Sequence, residues 1–330
     1  MSPDTYIAKT FPQYVLKHQA NQSSKQAGQG LLNLGDPQAR SYIQQYLSIA
    51  VEEYGLDVLR MDYNLDPGPI WATSDEAGRS GMREAKYING LYIMWDAIIA
   101  THPGLLIDDC SSGGRRIDIE TLSRSFPLWR SDNGGSATSS GAATLQVQTM
   151  GLTQLAPISS GAVWDVDPYN WRTAGVFGKT ISWGQAGWQR ILANETLVHQ
   201  LELAVAETKS LRPFMLDDSD YYPLTHTNVD LTQWAAYQFH RPSSAADGSG
   251  EAGFAMYFRR PGSPQPTMAA GLLALTADVK YSVTMHHGYE ASGPAVTKTG
   301  QELALMPIAL DANDPARSHN GCVLLRYELA

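Results

Sequence analysis

Two carboxylates stand at the centre of any chemistry this sequence could do. Asp62 ends the stretch VLRMD (58–62) and Asp132 lies at the end of PLWRSD (127–132); an arginine precedes each by two positions, Arg60 and Arg130. Residues two apart in an extended chain project to the same side, so each arginine sits beside its carboxylate. An adjacent cation keeps a carboxylate ionised, as a nucleophile requires, whereas an acid needs burial or a neighbouring negative charge to hold its proton. Two such carboxylates facing one pocket are the usual equipment of glycoside hydrolysis, and the residues themselves leave open which Asp plays which part. A third cluster, Asp108, Asp109 and Cys110 followed by SSGGRR, lies between them, and Asn64 and Asn133 follow the two aspartates. Cys110 suits either a small buried hydrophobe or a thiol nucleophile with no His near it in sequence. Asp108 and Asp109 offer hard oxygen ligands for a divalent cation, but no second cluster joins them, and the 8 histidines lack metal-ligand spacing. A lone strand-end Asp also serves as a helix cap or an ion-pair partner; three such strand ends in order point to chemistry.

The elements that must position these groups fall into two regimes. Up to about residue 213, short apolar runs alternate with helical stretches. Asp36-Pro37 is a helix start, a capping side chain followed by Pro in the first turn, and Gly55 is its stop. Between them Ile43, Leu47, Ala50 and Tyr54 share a face at helical spacing. DVLRMD (57–62) reads as a strand, Tyr87 to Ala100 as a helix, LLID (105–108) as a strand and Ile117 to Arg124 as a short helix. PLWRSD (127–132) and Gln154 to Val163 read as further strands, and Thr196 to Leu211 as a further helix. Strand, polar loop, helix, repeated, is the pattern of an α/β fold with parallel strands, where functional groups gather at the carboxyl ends of the strands. Beyond about residue 215, WAAYQFHRP, GFAMYFRRP, YSVTMHH and GCVLLRYEL are short strands separated by turn-rich segments, which predicts an antiparallel β-sandwich. The turn-rich SSAADGSGEAG stretch reads as a hairpin loop.

At 330 residues the chain can bury a large core, and one large domain plus a smaller one is the expectation. Its net charge of −9, with no Lys/Arg-rich block, argues against nucleic acid and anionic membrane as partners. No stretch approaches the length of a membrane span. The start, MSPDTYIAKTFPQYVLK, lacks the apolar region of a secretory signal, so a cytoplasmic location is the expectation. The two cysteines, Cys110 and Cys322, make no disulfide framework.

RMDYN (60–64), DDCSSGGRRID (108–118) and WRSDN (129–133), in this order and spacing, resemble glycoside hydrolase family 36, the melibiase-type α-galactosidases and α-N-acetylgalactosaminidases. That family's usual motifs are KWDMN, a Cys-Ser-x-Gly-Gly-x-Arg-x-Asp loop and WxSDN. LLNLGDP (31–37) is similar to its third barrel strand leading into a helix, and SLRPFMLDDSDYYPLT (210–225) to its exit into the C-terminal sandwich. The resemblance implies a (β/α)8-type (TIM) barrel, incomplete at its N-terminus, over residues 1–213, holding strands three to eight. An antiparallel β-sandwich follows over 214–330. It implies that Asp62 is the nucleophile at the end of strand four and Asp132 the general acid/base at the end of strand six. Cys110 and Gly113 would line the sugar near its 2-position, with Arg60, Asn64 and Arg130 also among the substrate contacts. The implied mechanism is retaining, through a glycosyl-enzyme ester, with a carbohydrate substrate, no metal and no organic cofactor.

Two departures bear on the sugar: Arg60 stands where the family usually has Lys, and Met61 where it has Trp. A shortened barrel would expose edges, so a homo-oligomer or a partner chain completing it is expected. Three readings follow: a retaining α-galactosidase, with α-N-acetylgalactosaminidase as its near variant; a non-catalytic carbohydrate-binding protein using Trp71, Trp129 and Trp183; and a scaffold completed by a second polypeptide.

Overall fold

The computed structural model describes residues 2–17, 29–132, 139–216, 218–243, 250–268, 271–310 and 321–330. The chain parts into two compact units, Met1–Pro127 and Leu128–Ala330.

The first unit runs α1 (Tyr6–Thr10), β1 (Val15–Lys17), β2 (Gly30–Leu32), α2 (Pro37–Tyr54), β3 (Val58–Asp62), α3 (Gly68–Ser74), α4 (Met82–Thr101), β4 (Leu106–Cys110) and α5 (Ile119–Leu122). β1 and β2 pair antiparallel, and β3 and β4 pair parallel. Helix α2 starts as its sequence dictates: the Asp36 side chain accepts from the backbone N–H groups of Gln38 and Ala39, and Gly55 ends the helix in the left-handed region at φ 60°. Its buried stripe differs from the expected one. Ala39 and Val51 are buried, with Ile43 and Leu47 packed between them, while Tyr54 points to solvent. A strict four-residue step keeps this line on the core, and Tyr54 falls one step off it. Helix α4 contributes Tyr87, Leu91, Met94, Trp95 and Ile98 to the same core, which also holds Ile70, Leu105 and Ile107. α2 and α4 are packed together, and Gly90 lets α4 pass the backbone at Leu34, because a Cβ there would overlap the Leu34 carbonyl.

The second unit holds α6 (Ser139–Leu152), β5 (Ser160–Val163), α7 (Pro168–Thr173), β6 (Gly178–Ile181), α8 (Gly184–Leu192), α9 (Glu195–Leu211) and α10 (Pro213–Leu216). It continues with β7 (Asp220–Pro223), β8 (Ala235–Arg241), β9 (Ala252–Phe258), β10 (Thr267–Met268), β11 (Lys280–His286), β12 (Val296–Thr299), α11 (Gly300–Leu305), β13 (Ile308–Ala309) and β14 (Cys322–Leu329). β5 and β6 pair parallel; β7, β8, β9, β14, β11 and β12 lie side by side in one six-stranded antiparallel sheet. Alternation along its strands sorts the side chains onto two faces. Ala236, Ala255, Tyr257, Val283, Val323 and Leu325 face a layer that includes Leu303 of α11, Ile308 of β13 and Leu310. Tyr237, Phe239, Phe254, Met256 and Leu324 face residues of the preceding helices, among them Ala142, Met150, Tyr169 and Leu211. The expected sandwich therefore has one full sheet, and its second layer is the short β10–β13 pair with α11.

Three expectations are corrected. Among the described residues the parallel pairings are β3–β4 and β5–β6, two separate pairs rather than the expected run of barrel strands three to eight; that no closed barrel forms agrees with the expected incompleteness. PLWRSD (127–132) is irregular rather than a strand. Its Leu128 carbonyl is held by the hydroxyls of Ser160 and Thr180 (2.8 Å for Thr180), and its Trp129 indole N–H reaches Asp132 Oδ1 at 2.7 Å. Its backbone bond to β5, from the Arg130 N–H to the Ser160 carbonyl, is long at 3.4 Å, so side chains do much of what a backbone ladder does in a strand. Only Ser160–Val163 of the 154–163 stretch is a strand; Pro157, which has no N–H, lies in a turn closed by Ser159 N–H to its carbonyl. The compact division at 127/128 also differs from the expected domain boundary at 213/214, because α6, α7 and α9 share a core with the antiparallel sheet, and α7 and α9 hydrogen-bond to it. Most of the SSAADGSGEAG stretch lies outside the described residues, between the antiparallel neighbours β8 and β9. Among the described residues no helix is long and apolar enough to cross a membrane.

Candidate active site

The first unit assembles a polar cluster at the carboxyl ends of β3 and β4. Their register sets Arg60 opposite Asp108 and Asp62 opposite Cys110, all on one face, while Met61 and Asp109 face the other way. Val58 and Leu106, paired at the start of the same face, are 40% and 49% exposed, so that face is open where the two strands begin, whereas Asp108 and Cys110 further along β4 are buried.

Arg60 is not simply the partner of Asp62. Its Nη1 donates to the buried Asp108 Oδ2 at 2.5 Å, and its Nη2 stands 3.9 Å from Asp62 Oδ2. Burial opposes its charge, yet the bond to Asp108, with Cys110 and Asp62 adding to it, leaves the guanidinium pKa above its ordinary value. Asp62, about a third exposed (34%), also accepts from Asn64 Nδ2 at 3.2 Å. Asn64 Oδ1 in turn accepts from the backbone N–H and hydroxyl of Ser112, at 3.2 and 3.3 Å. Ser112 and Gly113 take positive φ, 47° and 81°, which folds the CSSGG segment back on itself; the Ser111 N–H bonds to the Gly113 carbonyl at 2.9 Å. The turn brings Gly113 to the buried Cys110. Burial pushes that thiol up, the neighbouring Asp62 adds to the shift, and the Gly113 backbone and Arg60 oppose it. A protonated, buried thiol is a wall of this site, not a nucleophile.

The opposite face carries the support. Asp109 is buried and paired with Arg116, whose Nη2 also donates to the Cys110 carbonyl at 2.8 Å. The Arg116 guanidinium lies 4.4 Å from the Tyr63 ring centroid and 5.8 Å from that of Trp95. Burial raises the Asp109 pKa to about 6 against the pull of Arg116, with Asp108, Asp118 and Asp62 adding to the rise. Arg116 thus ties the far side of the Gly-rich turn to the end of β4. Sequence reasoning missed it. The available signal was an Arg seven residues after a strand-end Asp, across a turn that reverses the chain. Asp118 is likewise a cap, accepting from the Thr121 N–H and hydroxyl, both at 2.9 Å.

Arg60, Asp62, Asn64, Cys110 and Gly113 are therefore brought together. Arg130 and Asp132 belong to the second unit. There Arg130 is buried (4% exposed), and its Nη2 donates to the Leu145 carbonyl at 3.2 Å and the Thr149 hydroxyl at 2.6 Å. Burial lowers its pKa to about 10. Asp132 is exposed and bonded to Trp129. Asn133 lies outside the described residues. Asp108 and Asp109 are each committed to an arginine, and no group of three or more His, Cys, Asp or Glu side chains suited to a metal occurs among the described residues. Of the tryptophans named for sugar stacking, Trp71 lines a cavity of about 430 Å³ with Tyr63, Tyr87 and Tyr92, whereas Trp183 is buried against Trp188.

Residues 1–162 match the Melibiase family model. The chain is 22% identical over 218 residues to α-galactosidase Mel36A of Lactobacillus acidophilus, covering 64% of this chain and 29% of that protein. It is 28% identical over 134 residues to an α-galactosidase of Escherichia coli, covering 40% of this chain and 18% of that one. The crystal structure of the family 36 α-galactosidase AgaA of Geobacillus stearothermophilus superposes over the whole chain with a TM-score of 0.76 at 21% identity, matching 43% of AgaA. This chain thus spans less than half the length of the relatives it matches. Residues 1–162, just under half of the chain, carry Arg60, Asp62, Asn64, Cys110, Gly113, Arg130 and Asp132, and it is over this stretch that the chain is similar to the melibiase family.

Proposed function

We propose that the cluster at the ends of β3 and β4 is the nucleophile side of a retaining glycosidase site acting on terminal α-galactosides. The observation that carries this reading is the setting of Asp62: a half-open carboxylate at a strand end, steadied by Asn64 and Arg60, beside the folded Cys110–Gly113 turn. Partial exposure leaves one oxygen edge of Asp62 accessible to an anomeric carbon. In this reading Asp62 attacks that carbon, the glycosidic C–O bond breaks, and Asp132 delivers its proton to the departing oxygen. Asp132 then takes a proton from the water that cleaves the ester, restoring both groups. Retention requires the two carboxyl groups to come within about 5.5 Å of each other. Cys110 and Gly113 would border the sugar 2-position and set whether a hydroxyl or an acetamide fits there. Support for the substrate class comes from AgaA variants, which were solved in complex with raffinose and with stachyose.

Hydrolysis of an aryl α-galactoside by the wild type, Asp62→Ala and Asp132→Ala tests the proposal. Asp62→Ala should lose turnover by at least about 10³-fold. Asp132→Ala should lose less on an aryl galactoside with a good leaving group than on raffinose, because such a substrate needs less protonation. Retained galactose binding without turnover in the wild type would replace this reading with the carbohydrate-binding one.

A further inference from the structure

The antiparallel sheet of the second unit holds a charge that the glycosidase reading does not use. On the face covered by helices, the apolar run of β14 ends at Leu324, and the next side chain on that face is Arg326. Its register partners are Phe254 on β9 and Thr284 on β11. One row further along lie Arg241 on β8, Ala252 on β9, Glu328 on β14 and Ser282 on β11. Ala252 is too short to fill the space at its level, and a cavity of about 350 Å³ opens there, walled by Leu211 and Phe214 and lined by Arg241, Arg326, Ser282 and Thr284. The Arg241 guanidinium carbon lies 5.4 Å from the centroid of the Phe214 ring, which forms part of the cavity wall.

Arg326 is the anomaly. Its Nη2 donates to the Ser210 hydroxyl at 2.7 Å, its Nε is buried without a hydrogen-bond partner, and among the described residues no carboxylate lies within ion-pair distance of it. Glu328 sits on the same face at the exposed rim and makes no salt bridge with it. The nearest buried carboxylate, Glu207, is consumed by a two-pronged bond to Arg172. A guanidinium does not shed its proton, so a half-buried one must be met by an anion or by water. We infer that this cavity is a binding site for a small oxyanion, a phosphate, sulfate or carboxylate group, gripped by Arg326 and Arg241 with the Ser282 and Thr284 hydroxyls completing its coordination. The planar fork of arginine presents parallel donors that match two oxygens of either kind of group, and hydroxyl donors suit the remaining ones. Leu211 and Phe214 would pack against whatever apolar part the anion carries.

The test is a titration of the intact chain with phosphate, sulfate and acetate at constant ionic strength, following the arginine Nε–H resonances. These salts also stabilise proteins by exclusion from the surface, so the readout is a saturable shift at Arg326 rather than a change in melting temperature. Saturation is expected at or below about 1 mM for one of the anions, and which of them wins tells a tetrahedral oxyanion from a carboxylate. Arg326→Gln should weaken binding at least tenfold, while Glu328→Gln, which removes the competing rim charge, should tighten it several-fold. A linear response from the wild type to all three anions, or unchanged affinity in a folded Arg326→Gln, would overturn the assignment. Neither outcome depends on turnover.

Discussion

Two arginine–carboxylate pairs show how differently the units use charge. In the first, Arg60 is 42% exposed and divided between Asp108 and Asp62 at an open strand end. In the second, Arg172 on α7 is fully buried: its Nε and Nη2 bind both oxygens of Glu207 on α9, and Nη1 donates to the His286 carbonyl on β11 at 2.9 Å. The buried pair fastens helices to the antiparallel sheet and has nowhere else to go. Arg60 keeps donors facing solvent and a second carboxylate just beyond bonding distance, so an arriving hydroxyl can join it without breaking the fold. Burial decides which pair is mortar and which is available to a ligand.

The contrast can be broken at several points. Arg172→Ala leaves Glu207 as an uncompensated buried charge and should cost about 3–5 kcal/mol, read by urea unfolding. Gly90→Ala in the first unit should cost about 1–3 kcal/mol, since the added methyl meets the Leu34 backbone and forces α4 away from it. Arg60→Met should cost less than Arg172→Ala, about 1–2 kcal/mol, because Arg60 is itself 42% exposed although its partner Asp108 is buried, yet reduce aryl galactoside hydrolysis disproportionately. If Arg60→Met and Arg172→Ala destabilised equally, the distinction between the two pairs would fail.

The smallest expected effect sharpens the comparison by pH. Burial raises the Asp109 pKa to about 6 from the ordinary 3.8, so protonation favours the folded state. That contribution is complete below the ordinary value and is lost as pH rises through about 6. Thermal melts across this interval should show the wild type gaining stability over Asp109→Asn as pH falls; a constant difference would remove Asp109 as the titrating group.

The helix bounds and the strand core of β3 were legible because their signals are local. Asp36-Pro37 and Gly55 act through neighbouring backbone groups, and alternation in VLRMD needs no distant partner. The site was half legible: Asp62, Asn64, Cys110 and Gly113 stand out by type and spacing, and one pair of strands brings them together. PLWRSD misled because its apolar–polar alternation imitates a strand while its Leu128 carbonyl is held by hydroxyls from β5 and β6; Arg130, read as a substrate contact, is buried and bonds through Nη2 to Thr149 and the Leu145 carbonyl within its own unit.

What the sequence determined by itself was the set of elements and the polar groups at their ends, since caps, turns and side-chain periodicity are encoded within a few residues. What only the tertiary structure decided was the partner of each charge: Arg60 with Asp108, Arg116 with Asp109, Arg172 with Glu207. A side chain's electrostatic role depends on burial and on groups far away in the chain, and neither is fixed until the strands and helices have packed.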